Sequence, residues 1–271
     1  MKYSLTLLFV ILSSFKINAQ PNPIPKPKHQ FTVIAHRGDH VKYPENTLEA
    51  YLEAIKNGAD YVEIDLRTTK DSVLISMHDG NISRMTGEPG NIKDLTFETI
   101  RSLKVQSKNT QDTTAYHIPA FEDILKTCKD KIYIYLDFKD ASVPATYAAL
   151  RKYHMEKQVI VYINSFDQLE RWRKLAPKIP LMLSLPDSAK NINDIKAFIH
   201  QTHPDVLDGN WKTYNTEMLE YLTSQRIPVW PDIQSANEDQ HWPDAVKLGF
   251  KSLQTDHPAA LIEYLTKKGL R

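Results

Sequence analysis

His36, Arg37, Glu63, Asp65 and His78 fall within 43 positions of one another. Each stands near the end of a short apolar run. Imidazoles titrate near neutral pH, so two of them can share the removal and donation of a proton. The planar fork of arginine suits the non-bridging oxygens of a phosphate. Two carboxylates aimed the same way repel each other, and a hard dication such as magnesium, calcium or manganese removes that conflict. The set spells metal-assisted chemistry on a phosphate ester.

Local elements must place these groups. Residues 31–35 form a short β-rich run that reads as a buried strand, with His36 and Arg37 at its end and Gly38 allowing a turn. Residues 46–57 carry Leu48, Tyr51, Leu52, Ala54 and Ile55 at near-helical spacing, with Asn46 or Thr47 as cap and Gly58 as stop. Residues 61–67 form the next strand. Side chains alternate along it, so Tyr61, Glu63 and Asp65 share one face while Val62, Ile64 and Leu66 share the other. Residues 73–77 form a further strand ending at His78. Each feature has a duller origin: a Glu-x-Asp on a solvated edge, a histidine that merely hydrogen-bonds at a strand end, an Arg37 that simply pairs with Glu45. Their joint occurrence outweighs those readings, because strand ends on one side of an α/β fold gather at a single face.

The motifs His36-Arg37-Gly38, Pro44-Glu45-Asn46-Thr47, Gly58-Ala59-Asp60 leading to Glu63-x-Asp65, and His78-Asp79 appear in this order. The combination resembles the glycerophosphodiester phosphodiesterase family from about Phe31 to the C-terminus. The resemblance implies hydrolysis of glycerophosphodiesters to glycerol 3-phosphate and an alcohol. It implies His36 and His78 as the acid/base pair and one divalent cation, Mg2+, Ca2+ or Mn2+. That ion would be held by Glu63, Asp65 and a third ligand at Asp137, where the family usually has the longer glutamate. Lys139 matches a phosphate-facing lysine, and Trp230 matches a tryptophan near the substrate pocket. Glu45 is expected to orient Arg37 rather than bind metal. The closing Thr255-Asp256-His257-Pro258 matches the family's last turn, whereas Pro231-Asp232-Ile233-Gln234 departs from its pattern. The alternative activity is that of a phospholipase of the phosphatidylinositol-specific or sphingomyelinase-D-like type. A third reading is an exported binding module with a decayed site.

The rest of the chain fits a single enzyme-sized domain of 271 residues. With 34 basic against 33 acidic side chains, charge gives no basis for binding nucleic acid. Residues 1–19 read as an export signal: Lys2, an apolar stretch, then Ile17-Asn18-Ala19 before the cut. This predicts a periplasmic or secreted protein with no stable membrane insertion once the signal is gone. Residues 20–30, with four alternating prolines, read as an extended, poorly ordered tether. The single cysteine, Cys128, excludes an internal disulfide. Residues 81–117 break the α/β rhythm as a small insertion after the second strand region, with a short helix around 96–103 and a place beside the substrate pocket. Elsewhere strands and helices alternate. Strand starts at Phe31, Tyr61, Lys131, Gln158, Pro180, Asp205, Pro228 and Ser252 give eight βα units, hence a (β/α)8 TIM barrel over residues 31–271. A doubly wound open sheet is the runner-up, without a Gly-rich nucleotide loop to support it.

Overall fold

Seven parallel strands curl around an axis: β1 (Thr32–Ala35), β2 (Tyr61–Thr68), β4 (Tyr133–Phe138), β5 (Val159–Ile163), β6 (Leu181–Ser184), β7 (Val206–Asp208) and β8 (Ser252–Thr255). The structure, a computed structural model, describes residues 21–107 and 111–271. The expected signal segment, 1–19, lies outside the described residues. A short β3 (Leu74–Ser76) folds back antiparallel on the end of β2. Strands β1 and β8 pair in parallel, and so do β1 and β2.

The expected strand at Pro228 is not a regular ladder. Proline has no amide hydrogen, and Pro228 and Pro231 interrupt the pairing on this stave. What remains is a set of isolated parallel bridges, Leu207 with Val229 and Asp232 with both Asn210 and Gln254. The Trp230 amide donates to Leu207 O at 2.8 Å and the Gln254 amide to Pro231 O at 3.0 Å. These bonds join β7 to β8 and close the ring, which rules out the open-sheet alternative.

The outer layer begins with α1 (Leu48–Lys56) and continues with α4 (Phe121–Cys128), α5 (Val143–Tyr153), α6 (Phe166–Leu175), α7 (Ile192–Thr202), α8 (Thr216–Ser224), α9 (Trp242–Leu248) and α10 (Pro258–Lys267). Thr47 is the cap of α1, accepting from the Ala50 amide. That frees Asn46 for another task. The insertion supplies α2 (Ser83–Thr86) and α3 (Phe97–Ser102) and has its own small core of Ile75, Met77, Ile82, Ile92, Ile100 and Ile118.

Strand alternation sorts the barrel interior into layers. The floor is apolar and aromatic: Ile34, Tyr61, Tyr135, Ile160, Met182, Val206 and Trp230. Two residues further along each stave the polar layer begins, with His36, Glu63, Asp137, Tyr162, Asp208 and Asp232 lining one cavity. Below the floor lies a correction. Residues 21–30 form neither helix nor strand and bend at 28–30, yet they are docked. Pro25 is buried, its carbonyl accepts from the Tyr61 hydroxyl, Ile24 packs on the floor aromatics, and the Asn22 amide donates to Asp205 Oδ1 at 2.5 Å. The floor aromatics offer apolar surface, and burying Ile24 and Pro25 there offsets the entropy of a free tether.

Candidate active site

A cavity of about 200 Å³ opens at the C-terminal ends of the strands. It is lined by His36, Arg37, Glu63, Asp65, His78, Asp137 and Lys139, together with Tyr135, Tyr162, Asn164, Asp208, Asp232, Gln234 and Gln254. Seven of the nine residues expected from sequence meet here. Glu45 stands behind Arg37, whose Nη1 donates to Glu45 Oε1 at 2.8 Å. Trp230 does not reach the cavity and is the second correction. It is 2% exposed, in the barrel floor, with its ring centroid 4.6 Å from that of Tyr61. On this stave the inward residue one step nearer the mouth is Asp232, so alternation puts the tryptophan beneath the site.

His36 Nδ1 lies 2.7 Å from Asp256 Oδ1, and His78 Nδ1 lies 2.8 Å from Asp79 Oδ1. An ionised carboxylate only accepts, so Nδ1 of each ring carries the hydrogen and Nε2 is left for the reacting molecule. Burial lowers the His36 pKa, and the Asp256 contact offsets part of that. A neutral His36 can therefore accept a proton at Nε2. Burial pushes the other way on Asp256, but hydrogen bonds from His36 and His40 overcome it and hold the acid well below the usual carboxylate range. His40 Nε2 is 3.1 Å from the same Oδ1. Glu238, 1% exposed, fixes the turn by accepting from the Asp256 amide at 3.1 Å and the His257 amide at 3.2 Å.

The Arg37 backbone is left-handed at φ 53°, and its amide donates to Glu63 Oε2 at 2.8 Å. Gly38, at φ 84°, permits the close approach of α1: a Cβ there would lie 2.8 Å from the Ala50 carbonyl carbon. Asn46 serves Asp65, donating from Nδ2 to Oδ2 at 2.7 Å. Its own oxygen accepts from the Tyr51 hydroxyl at 2.9 Å and the Ser76 hydroxyl at 2.8 Å, which fixes the amide's orientation. The insertion buttresses the site from behind. No described residue of 81–117 lines the cavity, but Arg84 donates to Glu45 and, at 2.6 Å, to Asp79 Oδ2. It thereby links the supports of Arg37 and His78.

Glu63, Asp65 and Asp137 bring ligand atoms within 4.8 Å of one another. Glu63 and Asp65 are 2% and 1% exposed. Burial, then the charges of Asp65 and Asp137, push Glu63 well above the usual carboxylate range. Burial likewise raises Asp137, with Lys139 opposing. The shorter Asp137 still belongs to the set, steadied by Asn164 at 2.7 Å. Lys139 Nζ lies 2.5 Å from Asp137 Oδ2 and 3.2 Å from Asp65 Oδ1. The Lys139 ammonium and the Arg37 guanidinium, whose Nε lies 3.4 Å from Asp65 Oδ2, do not have the charge to neutralise three carboxylates, two of them buried, so the donor set fits a hard dication in chemistry and spacing.

Sequence reasoning passed over Asp256, Asp79, Asn46, Arg84, Asp208 and Asp232 as site residues. Burial pushes Asp208 up to about 7. A signal existed for Asp208 and Asp232: both stand on the inward face at the C-terminal end of a stave, two residues beyond Val206 and Trp230.

A closed parallel barrel with backed imidazoles and a carboxylate trio at its mouth defines the class of barrel phosphoesterases. The chain belongs to the glycerophosphoryl diester phosphodiesterase family, whose sequence profile matches residues 36–260, and it is a phosphoric diester hydrolase. A protein of Caldanaerobacter subterraneus subsp. tengcongensis named glycerophosphodiester phosphodiesterase is 28% identical over 246 residues, covering 88% of this chain and 98% of that one. The human glycerophosphodiester phosphodiesterase 1 is 36% identical over 156 residues, covering 55% of this chain and 47% of the relative. Among solved structures, an Oleispira antarctica phosphodiesterase in complex with sn-glycerol-3-phosphate superposes with a TM-score of 0.77 at 19% identity, over 87% of this chain and 96% of that one. At that identity the likeness is one of fold.

Proposed function

We propose that this enzyme hydrolyses glycerophosphodiesters to glycerol 3-phosphate and an alcohol, with one divalent cation held by Glu63, Asp65 and Asp137. The observation that carries this is that His36 and His78, each with Nδ1 occupied by its own aspartate, line the same cavity as the carboxylate trio. The full-length likeness to the Caldanaerobacter protein supports the choice of substrate class. When bound, the cation neutralises phosphate charge and polarises the attacking oxygen. Arg37 and Lys139 donate to the non-bridging oxygens as charge develops there. One imidazole takes the nucleophile's proton at Nε2, and the other delivers a proton from Nε2 to the departing alkoxide. Asp256 and Asp79 keep both rings in the tautomer these steps need.

The phospholipase alternative requires an apolar rim to seat lipid. The large apolar side chains exposed among the described residues are Val41, Leu52, Phe166 and Leu175, spread over α1, α6 and the loop after β1. No helix among the described residues is long and apolar enough to cross a membrane. We further propose, from the apolar stretch in residues 1–19, that the protein is exported to the periplasm or outside the cell; N-terminal sequencing of the mature protein should then begin at Gln20, and an uncleaved N-terminus would contradict it.

The test is glycerophosphocholine hydrolysis before and after EDTA treatment. Activity should vanish with EDTA and return with magnesium, calcium or manganese. The returning ion should also raise the melting temperature of the wild type but not of an Asp65→Asn, Asp137→Asn variant. Absence of turnover on every phosphodiester with all three metals would sink the reading.

A further inference from the structure

We propose that His40 is a positioning residue for the reaction: it donates to the oxygen of Asp256 that His36 also uses, and so holds that carboxylate where the His36 ring needs it. The inference rests on the hydrolase reading above and extends its acid/base machinery by one residue.

The turn after β1 builds this arrangement. Arg37 and Gly38 both have left-handed backbones, at φ 53° and 84°, and the chain doubles back so that His36 and His40 reach the same aspartate. Asp39 pins the turn between them. Its amide donates to Ala50 O at 2.9 Å, and its Oδ2 accepts from Asn57 Nδ2 at 2.9 Å. His36 Nδ1 then lies 2.7 Å from Asp256 Oδ1, and His40 Nε2 lies 3.1 Å from the same atom. The two rings stand at 71°, with centroids 6.2 Å apart. Burial pushes Asp256 up, but hydrogen bonds from His36 and His40 bring it below the usual carboxylate range. The ionised acid can only accept, so Nε2 of His40 carries a hydrogen.

His40 is not among the residues lining the catalytic cavity, and its side chain is 11% exposed. It therefore acts through Asp256 and not on the substrate. A carboxylate with a single donor can swing about its Cβ–Cγ bond. Two donors from different rings fix its oxygen. The other half of the site is built alike: Asp79 meets His78 through Oδ1 and receives a second donor, Arg84 Nε, at Oδ2. Each aspartate behind a reacting imidazole thus has a second donor. On the His36 side that donor is His40.

The experiment measures kcat, KM and melting temperature of wild type, His40→Leu and His40→Gln, with glycerophosphocholine as substrate and metal added. The glutamine amide nitrogen reaches about as far as imidazole Nε2, whereas leucine donates nothing. His40→Leu should lower kcat about five- to tenfold and change KM by less than about twofold. His40→Gln should recover most of that loss. In an Asp256→Ala background, His40→Leu should lower kcat no further, because its route to the His36 ring is gone. Unchanged kcat in a folded His40→Leu overturns the proposal. So does an equal loss in His40→Leu and His40→Gln, which assigns His40 to packing, or an undiminished loss in the Asp256→Ala background. If His40→Leu does not fold, His40→Asn takes its place: its shorter amide stops short of Asp256, and kcat equal to that of His40→Gln overturns the proposal. All these outcomes leave the hydrolase reading standing. Failure of the wild type to cleave any phosphodiester overturns both.

Discussion

Each imidazole at the mouth rests on a carboxylate, and each carboxylate is itself held: Asp256 by the turn that Glu238 fixes, Asp79 by Arg84. His36→Ala and His78→Ala should each lower kcat by about a thousandfold with little change in melting temperature, checked by steady-state kinetics and thermal denaturation. Asp256→Asn should lower kcat at least about tenfold and leave KM nearly unchanged, because the ring loses its tautomer and not its place. Glu45 offers a pH prediction. Burial raises its pKa, but hydrogen bonds from Arg84 and the charge of Arg37 outweigh that and bring it down to about 2 from 4.5. The folded value lies below the unfolded one, so Glu45 contributes stability fully above about pH 4.5 and loses it as pH falls toward 2. In Glu45→Gln this limb should be missing. Urea midpoints of the two proteins should therefore converge as pH drops through that window.

At the scale of elements, the tight turn between β1 and α1 decides whether Arg37 and Glu63 can meet. Gly38→Ala forces a side chain into φ 84° and against the Ala50 backbone at 2.8 Å. Positive φ and overpacking each cost on the order of 1–3 kcal/mol. The variant should melt roughly 5–10 °C lower, with activity reduced because the Arg37 amide no longer reaches Glu63. The insertion acts on the same scale. Its core is separate from the barrel's, yet Arg84 carries its position to both Glu45 and Asp79.

For the molecule as a whole, the ends of the barrel have different duties. The mouth is polar and carries the chemistry. The bottom is sealed by the proline-rich segment and by Asp60, whose carboxylate receives the Val33 amide at 3.0 Å, pairs with His29 at 2.8 Å and meets Arg271 Nη1 at 2.5 Å. The Arg271 and Asp60 side chains are 4% and 0% exposed. Removing one partner of a buried pair costs about 3–5 kcal/mol. Arg271→Ala should therefore lower the denaturation midpoint markedly while kcat/KM of the remaining folded enzyme is unaltered.

The sequence alone determined the strand-and-helix rhythm, because alternation and helical spacing are local, and it determined Glu63 and Asp65 as a pair, because they are two apart on one strand. It also gave His36, His78 and Arg37, which end local runs that are easy to read. Tertiary structure decided what depends on distant segments. Asp256 reaches His36 across 220 positions, and no local pattern marks that pairing. The assignment of Trp230 to the pocket failed for a related reason: depth along a stave is set by the register of its neighbours, which put the tryptophan in the floor and Asp232 at the mouth. The composition of the proline-rich segment predicts poor order because it disfavours self-contained structure, whereas the segment docks on aromatic surface supplied by β2 and β4.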